Sequence, residues 1–249
     1  MQTSRSAAAE ALYLALMLAA LALSGCSFPS AIHTYECVTA YDRMSDEYDP
    51  QVSLVYVPQR TSLSKYRGII VGDVAVGSVW IESPEEARAY ARVLRLYLSS
   101  HLTRLAKFEY VGLDKGDGPS QPRKELGNTL LLEGMVTRFD MGSGFLRYLS
   151  GLLFFLQAGA TDLQFEGRLT EANTGKLVIE FVDRRRHLAN TPFGPNPLSL
   201  RNGYAMKVTA RETASCLATF IGHAFDDLPA TCATTGVGGD HEKTSKGTL

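Results

Sequence analysis

The sequence predicts an α/β (α+β) fold, a mixed β-sheet with a βαβ-like unit, a C-terminal β-hairpin and two main packing helices. Three observations carry this. A β-rich stretch, Tyr66 to Val76, is followed by a long amphipathic helical pattern and then by the short run Phe108-Glu109-Tyr110-Val111. Two alternating runs flank the turn Asn173-Thr174-Gly175, and a second helical pattern occupies Gly203 to Ala224.

The elements follow in order. Met1 to Glu10 carries Arg5 as its positive residue, and Ala11 to Leu23 is an apolar run too short for a bilayer, which takes roughly 20 residues. Leu23-Ser24-Gly25-Cys26 comes next. This pattern resembles a bacterial lipoprotein signal, which implies cleavage before Cys26 and a diacylglycerol on its sulfur, often with palmitate-type acylation of the new amine. Each buried CH₂ contributes about 0.8 kcal/mol, so two or more chains hold a domain to a membrane without a spanning helix. Ser27, where sorted lipoproteins retained at the inner membrane carry Asp, favours the outer membrane with the body facing the periplasm. The expected division is residues 1–25 signal peptide, 26–50 tether, 51–225 periplasmic domain and 226–249 flexible tail.

Ser27 to Pro50 is polar and turn-rich without periodicity, which suits a tether. Val52 to Val57 reads as a strand closed by Pro58, and Tyr66 to Val76 as a second, with Gly72 and Gly77 as bulge or close-approach points. Ser83-Pro84-Glu85-Glu86 starts a helix: serine can cap, proline fits the first helical position, and the acids meet the positive end of the dipole. Ala87, Tyr90, Ala91, Leu94, Tyr97, Leu98, Leu102 and Leu105 make its apolar face, while Arg88, Arg92, Arg95 and Arg104 lie mostly elsewhere and read as solvated. Phe108 to Val111 is then the strand after a crossover, for which parallel pairing is the default.

Asp114 to Gly127 reads as a surface loop; it lacks the Gly-Lys-Ser/Thr of a phosphate loop. Thr129 to Asp140 is a long strand, buried on both faces at its start. Between Met141 and Ala160 the reading divides: Phe145, Leu146, Tyr148, Leu152, Phe154 and Phe155 belong either to a helix packed on the domain or to a surface for a partner or the membrane interface. Leu163, Phe165 and Leu169 alternate with Gln164, Glu166, Arg168 and Thr170 before the Asn173-Thr174-Gly175 turn, and Lys176 to Asp183 completes a hairpin. Arg184-Arg185-Arg186-His187 reads as a solvated strand end, with an anionic headgroup or carboxylate as its alternative. The final helix offers Ala205, Val208, Ala214, Leu217, Phe220 and Ile221, and the polar tail beyond Asp226 reads as disordered.

Composition narrows function. The formal net charge is -1 and the signal removes one Arg and one Glu, so the cationic excess that phosphate binding draws on is missing and no nucleic-acid partner is expected. A hydrophobic fraction of 45% in a mature chain of about 220 residues is enough for one substantial core. With Cys26 given to lipid, Cys37, Cys216 and Cys232 remain in an oxidising compartment; Cys37 to Cys232, Cys216 to Cys232 and no bridge are all compatible with the sequence. No Cys-x-x-Cys occurs, and His33, His101, His187, His223 and His241 are scattered, so neither a metal nor another cofactor is expected. Gly-x-Ser-x-Gly and His-Glu-x-x-His are also missing, so no catalytic residue is assigned.

The order of the lipobox, Tyr66-Arg67-Gly68-Ile69-Ile70-Val71, Glu85-Glu86-Ala87 and Glu171-Ala172-Asn173-Thr174-Gly175-Lys176-Leu177 leading to Val182-Asp183-Arg184-Arg185 resembles bacterial lipoproteins of the domain-of-unknown-function 3313 type. The 4410 type is a second candidate. These families usually carry Asp where Glu171 stands, and they imply no catalytic residue. The resemblance implies a periplasmic α/β module assisting an envelope complex. The expected function is therefore a non-enzymatic lipoprotein, anchored through Cys26, that docks on or helps assemble an envelope protein through its sheet edge or the Phe145–Leu156 segment. The alternative is a periplasmic ligand-binding protein or envelope hydrolase.

Overall fold

A computed structural model describes residues 31, 34, 36–114, 127–143, 161–187, 202–225 and 227–228. Its strands are β1 (Leu54–Tyr56), β2 (Thr61–Ser62), β3 (Gly68–Ile81), β4 (Tyr110–Leu113), β5 (Thr129–Asp140), β6 (Thr161–Glu171), β7 (Leu177–His187) and β8 (Asp227–Leu228). Among the described residues two helices, α1 (Pro84–Arg104) and α2 (Asn202–His223), accompany them. Six strands form one mixed sheet in the order β1-β7-β6-β5-β3-β4, and β2 pairs with β8 separately. The β3–α1–β4 unit is a parallel crossover, β3 also runs parallel to β5, and along β5, β6, β7 and β1 each strand is antiparallel to its neighbour. Both the βαβ unit and the hairpin expected from sequence are present.

One sheet face carries both helices. Ala87, Tyr90, Ala91, Leu94, Leu98 and Leu102 of α1 are buried at the expected three- and four-residue steps. They pack with Ile69, Val71, Leu130, Leu132, Val136, Leu169 and Phe181 of the sheet and Leu217, Phe220 and Ile221 of α2. Phe181 sits between Phe165 and Phe220, with ring centroids 5.9 and 5.4 Å away. Gly134 and Gly167 make room for these rings: a Cβ at 134 would strike Phe165, and one at 167 would strike Phe181. Val208, expected inward, is exposed, because it stands two residues, or about 200° of helical rotation, before the buried Ala210. The Ser83 hydroxyl makes no capping bond; its carbonyl accepts the first helical bond, from Ala87 N–H at 2.9 Å.

The opposite face departs from the sequence reading. Gln164 and Glu166, which alternate with Leu163, Phe165 and Leu169 along β6, are buried along with their apolar neighbours. Their cover comes from residues assigned by sequence to the 26–50 tether. Val38, Ala40, Tyr41 and Met44 pack with Tyr56 and Val182 as a second apolar cluster, so this stretch belongs to the folded body rather than to a free linker. A one-turn 3₁₀ helix, Tyr41–Arg43, and a bridge from Ser45 to Val55 continue the strap toward β1. The strap has no periodicity because it follows the sheet's surface instead of building a regular element.

Candidate functional site

The outer edge of the sheet changes character along β3. β4 pairs with β3 only from Gly68 to Val71; among the described residues no strand pairs with that edge from Asp73 to Ile81. Register breaks on the β5 side between Val71 and Val74 and again between Val76 and Trp80. The second irregularity places two more residues on β3 than on β5, and such bulges turn side chains outward. Val79 and Trp80 are accordingly 63% and 48% exposed. The Arg138 guanidinium lies 5.5 Å from the Trp80 ring, a cation–π contact that steadies the indole. Glu36 of the strap meets the bulge: its Oε1 accepts from Ser78 N–H at 3.1 Å and from the Ser78 hydroxyl at 2.9 Å.

Beside this edge, α1 and β3 enclose a groove of about 460 Å³ lined by Val74, Ala75, Val76, Arg88, Arg92 and Arg95. The arginine series divides there. Arg95 is tied down, 2.6 Å from the Asp73 carboxylate and bonded to the Asp114 carbonyl. Arg88 and Arg92 are exposed and have no carboxylate partner among the described residues. Arg104, at the far end of α1, is exposed as expected.

The strap-covered face is built on carboxylates. Glu166, 0% exposed, accepts from Tyr41 Oη at 2.5 Å, Gln164 Nε2 at 3.2 Å, Val38 N–H at 3.1 Å and Cys37 N–H at 3.3 Å, and also from the Thr34 hydroxyl. Burial, joined by the Glu166 charge, pushes the Cys37 thiol up to about 12, so it remains a thiol at neutral pH. Asp162 joins Arg138 Nε at 2.9 Å to Arg184 Nη2 at 2.8 Å. Burial pushes the Asp162 carboxyl up, but the hydrogen bonds and charges of Arg184 and Arg138 outweigh it and hold the group below the usual carboxylate range. Glu180 moves the other way: burial raises it despite bonds from the Ala40 and Thr39 N–H groups. A second groove, about 530 Å³, crosses this face between Glu133, Arg168, Thr170 and Glu180, with Arg168 3.0 Å from Glu133.

The Arg184 to His187 run is therefore not simply a solvated strand end. Arg184 turns to Asp162, while Arg185 points to the helix side, 2.6 Å from the buried Asp183. Its other nitrogens reach the Gln51 carbonyl at 2.7 Å and Cys216 Sγ at 3.1 Å. Arg186 alone of the three is exposed. An i, i+2 pair of opposite charges in an apolar strand, Asp183-x-Arg185, was the available sequence signal for this buried contact.

Cys26 and the candidate interface residues Phe145, Leu146, Tyr148, Leu152, Phe154 and Phe155 lie outside the described residues, as does Cys232. Cys37 and Cys216 are both free, one on each face of the sheet. Among the described residues no cluster of three His, Cys, Asp or Glu side chains could hold a metal, and no helix is long and apolar enough to cross a membrane. His223 meets Asp49 at 2.9 Å. Among the described residues the geometry thus offers an open strand edge flanked by cations on one side and an aromatic side chain on the other.

Among solved structures, the chain is similar to the PelC dodecamer from Paraburkholderia phytofirmans, with 11% identity, a TM-score of 0.40 and coverage of 65% of this chain and 95% of that one. A Xanthomonas campestris protein of the DUF330 family gives 12% identity, a TM-score of 0.38, and coverage of 68% and 95%. A Neisseria meningitidis lipoprotein gives 15%, 0.30, and coverage of 58% and 92%. Likeness at this level carries nothing about function. No curated protein matches the chain. Residues 82–191, from the end of β3 through the hairpin, match the family described as a domain of unknown function, DUF4410, the second of the two types the sequence resembles, and the match does not extend to the 3313 type.

Proposed function

We propose that this chain is a lipid-anchored protein of the bacterial envelope, held at the outer membrane facing the periplasm, that acts without catalysis by docking on another envelope protein through its sheet edge. The outer edge of β3, beside which no strand among the described residues lies from Asp73 to Ile81, carries the reading: such an edge is a template for another strand, and proteins without a use for it cover or blunt it. Val79 and Trp80 add exposed apolar area beside it. The anchor rests on Leu23-Ser24-Gly25-Cys26, and multiple acyl chains on Cys26 supply the attachment that a spanning helix otherwise would.

Photocrosslinking in intact cells from position 79, with the exposed Glu47 on the strap side as control position, tests it. A single envelope protein captured from position 79, absent from position 47 and lost in Cys26→Ala, is the expected result, and Val79→Lys should abolish its co-purification with the chain. Val79→Lys should leave folding stability within about 0.5 kcal/mol, since the side chain is on the surface. Capture from neither position, together with turnover of a cell-wall or lipid substrate by the purified protein, overturns the reading.

A further inference from the structure

Resting on the docking reading above, we infer that the segment received by β3 is an extended, acidic stretch of a partner protein, with carboxylates on every second residue facing Arg88 and Arg92. Three observations meet at this place. Among the described residues the edge is open where β4 ends, so a segment continuing the line of β4 can pair with Val74 to Val76. Those residues form one wall of the groove whose other wall carries Arg88 and Arg92, so the helix-side residues of an added strand point at two guanidinium groups that lack partners among the described residues.

The spacing also fits. Arg88 and Arg92 are one helical turn apart, about 6 Å, and same-face residues of a strand repeat about every 6.6–6.8 Å. An acidic-x-acidic pattern therefore reaches both cations with one carboxylate each, and each guanidinium can grip its carboxylate through two parallel bonds. Asp73 would oppose such a segment at the mouth of the groove, but Arg95 neutralises it at 2.6 Å. On the other side of the added strand the exposed Trp80, beside Arg138, favours apolar residues, which alternate with the acids. A basic strand would bring its cations onto Arg88 and Arg92, so the same pair rejects the wrong partner. The bulge at Gly77 to Val79 ends regular pairing, which limits the contact to a short strand.

The test uses the full chain in detergent and two fluorescently labelled probes, a short peptide alternating valine with glutamate and one alternating valine with lysine, followed by anisotropy. Trp80 is the chain's single tryptophan, so its emission reports on the bulge end of the edge. The glutamate peptide should bind, shift Trp80 emission and weaken with added salt, and Arg88→Ala with Arg92→Ala should loosen it about five- to tenfold. The lysine peptide should not bind. Equal binding of both peptides, no effect of the double substitution, or self-association of the unliganded chain that Val79→Lys abolishes, which would make a second copy the occupant, overturns the inference. The two readings fail separately: capture from position 79 in cells that survives Arg88→Glu with Arg92→Glu leaves docking intact and removes the acidic partner, whereas no capture from a chain that keeps both arginines removes docking itself.

Discussion

On one face of the sheet Phe181 lies between Phe165 and Phe220 under two helices; on the other, Glu166 lies under a strap and gathers five donors. The first face draws on non-directional burial, about 1.5–3 kcal/mol for each large apolar side chain, and tolerates small shifts of the helices. The second depends on directed bonds to a charge, which hold a segment without regular structure in one path. A helix brings its own backbone bonds and needs only an apolar stripe, while a strap must find partners for its N–H groups on the surface it crosses. Glu166 and Glu180 supply acceptors for Cys37, Val38, Thr39 and Ala40 in succession.

This contrast can be broken at either face. Phe181→Ala should cost about 3–5 kcal/mol in chemical denaturation, with the whole sheet unfolding earlier, because the ring fills the space between helices and hairpin. Glu166→Leu, similar in size but without acceptors, should cost about 2–3 kcal/mol, since buried donors are left unpaired. Its signature should be local: hydrogen exchange should rise in residues 36–44 while the β5–β6–β7 ladder keeps its protection. If both substitutions raised exchange uniformly, the strap would be part of the central cooperative unit and the contrast would fail.

Asp162 gives the smallest and most specific effect. Its folded pKa is depressed, so its contribution is present above the unfolded carboxylate value, about 3.9, and is lost as pH falls through the folded value. Asp162→Asn should therefore lower stability at neutral pH, and the gap from the wild type should close progressively in acid. A gap constant over the whole acid range would show that Arg138 and Arg184 hold the side chain by shape rather than charge.

Much of the fold was legible because its elements announce themselves locally. Thr129 to Asp140 reads as a strand and is one, the Asn173-Thr174-Gly175 turn joins β6 and β7, and Gly175 adopts the positive φ of 71° that its place in the turn requires. The strap was not legible. Its anchor, Glu166, stands 132 residues from Thr34, and a glutamate in an alternating strand gives the same signal whether it meets water or a buried hydroxyl. For the candidate site, the arginine stripe was visible as one side of a helix. That Arg95 turns inward while Arg88 and Arg92 have no carboxylate partner among the described residues depends on Asp73 and on where β4 stops, which no pattern within α1 encodes.

The strap also sets a leash length. If Cys26 holds the lipid, only eight residue steps separate it from Thr34, which is already fastened to the sheet, and a fully stretched chain covers about 28 Å over that distance. The body is then moored low over the bilayer, and tension on the mooring enters through the middle of the sheet at β6 instead of peeling an end. A protein that meets it must itself reach down to that shallow layer.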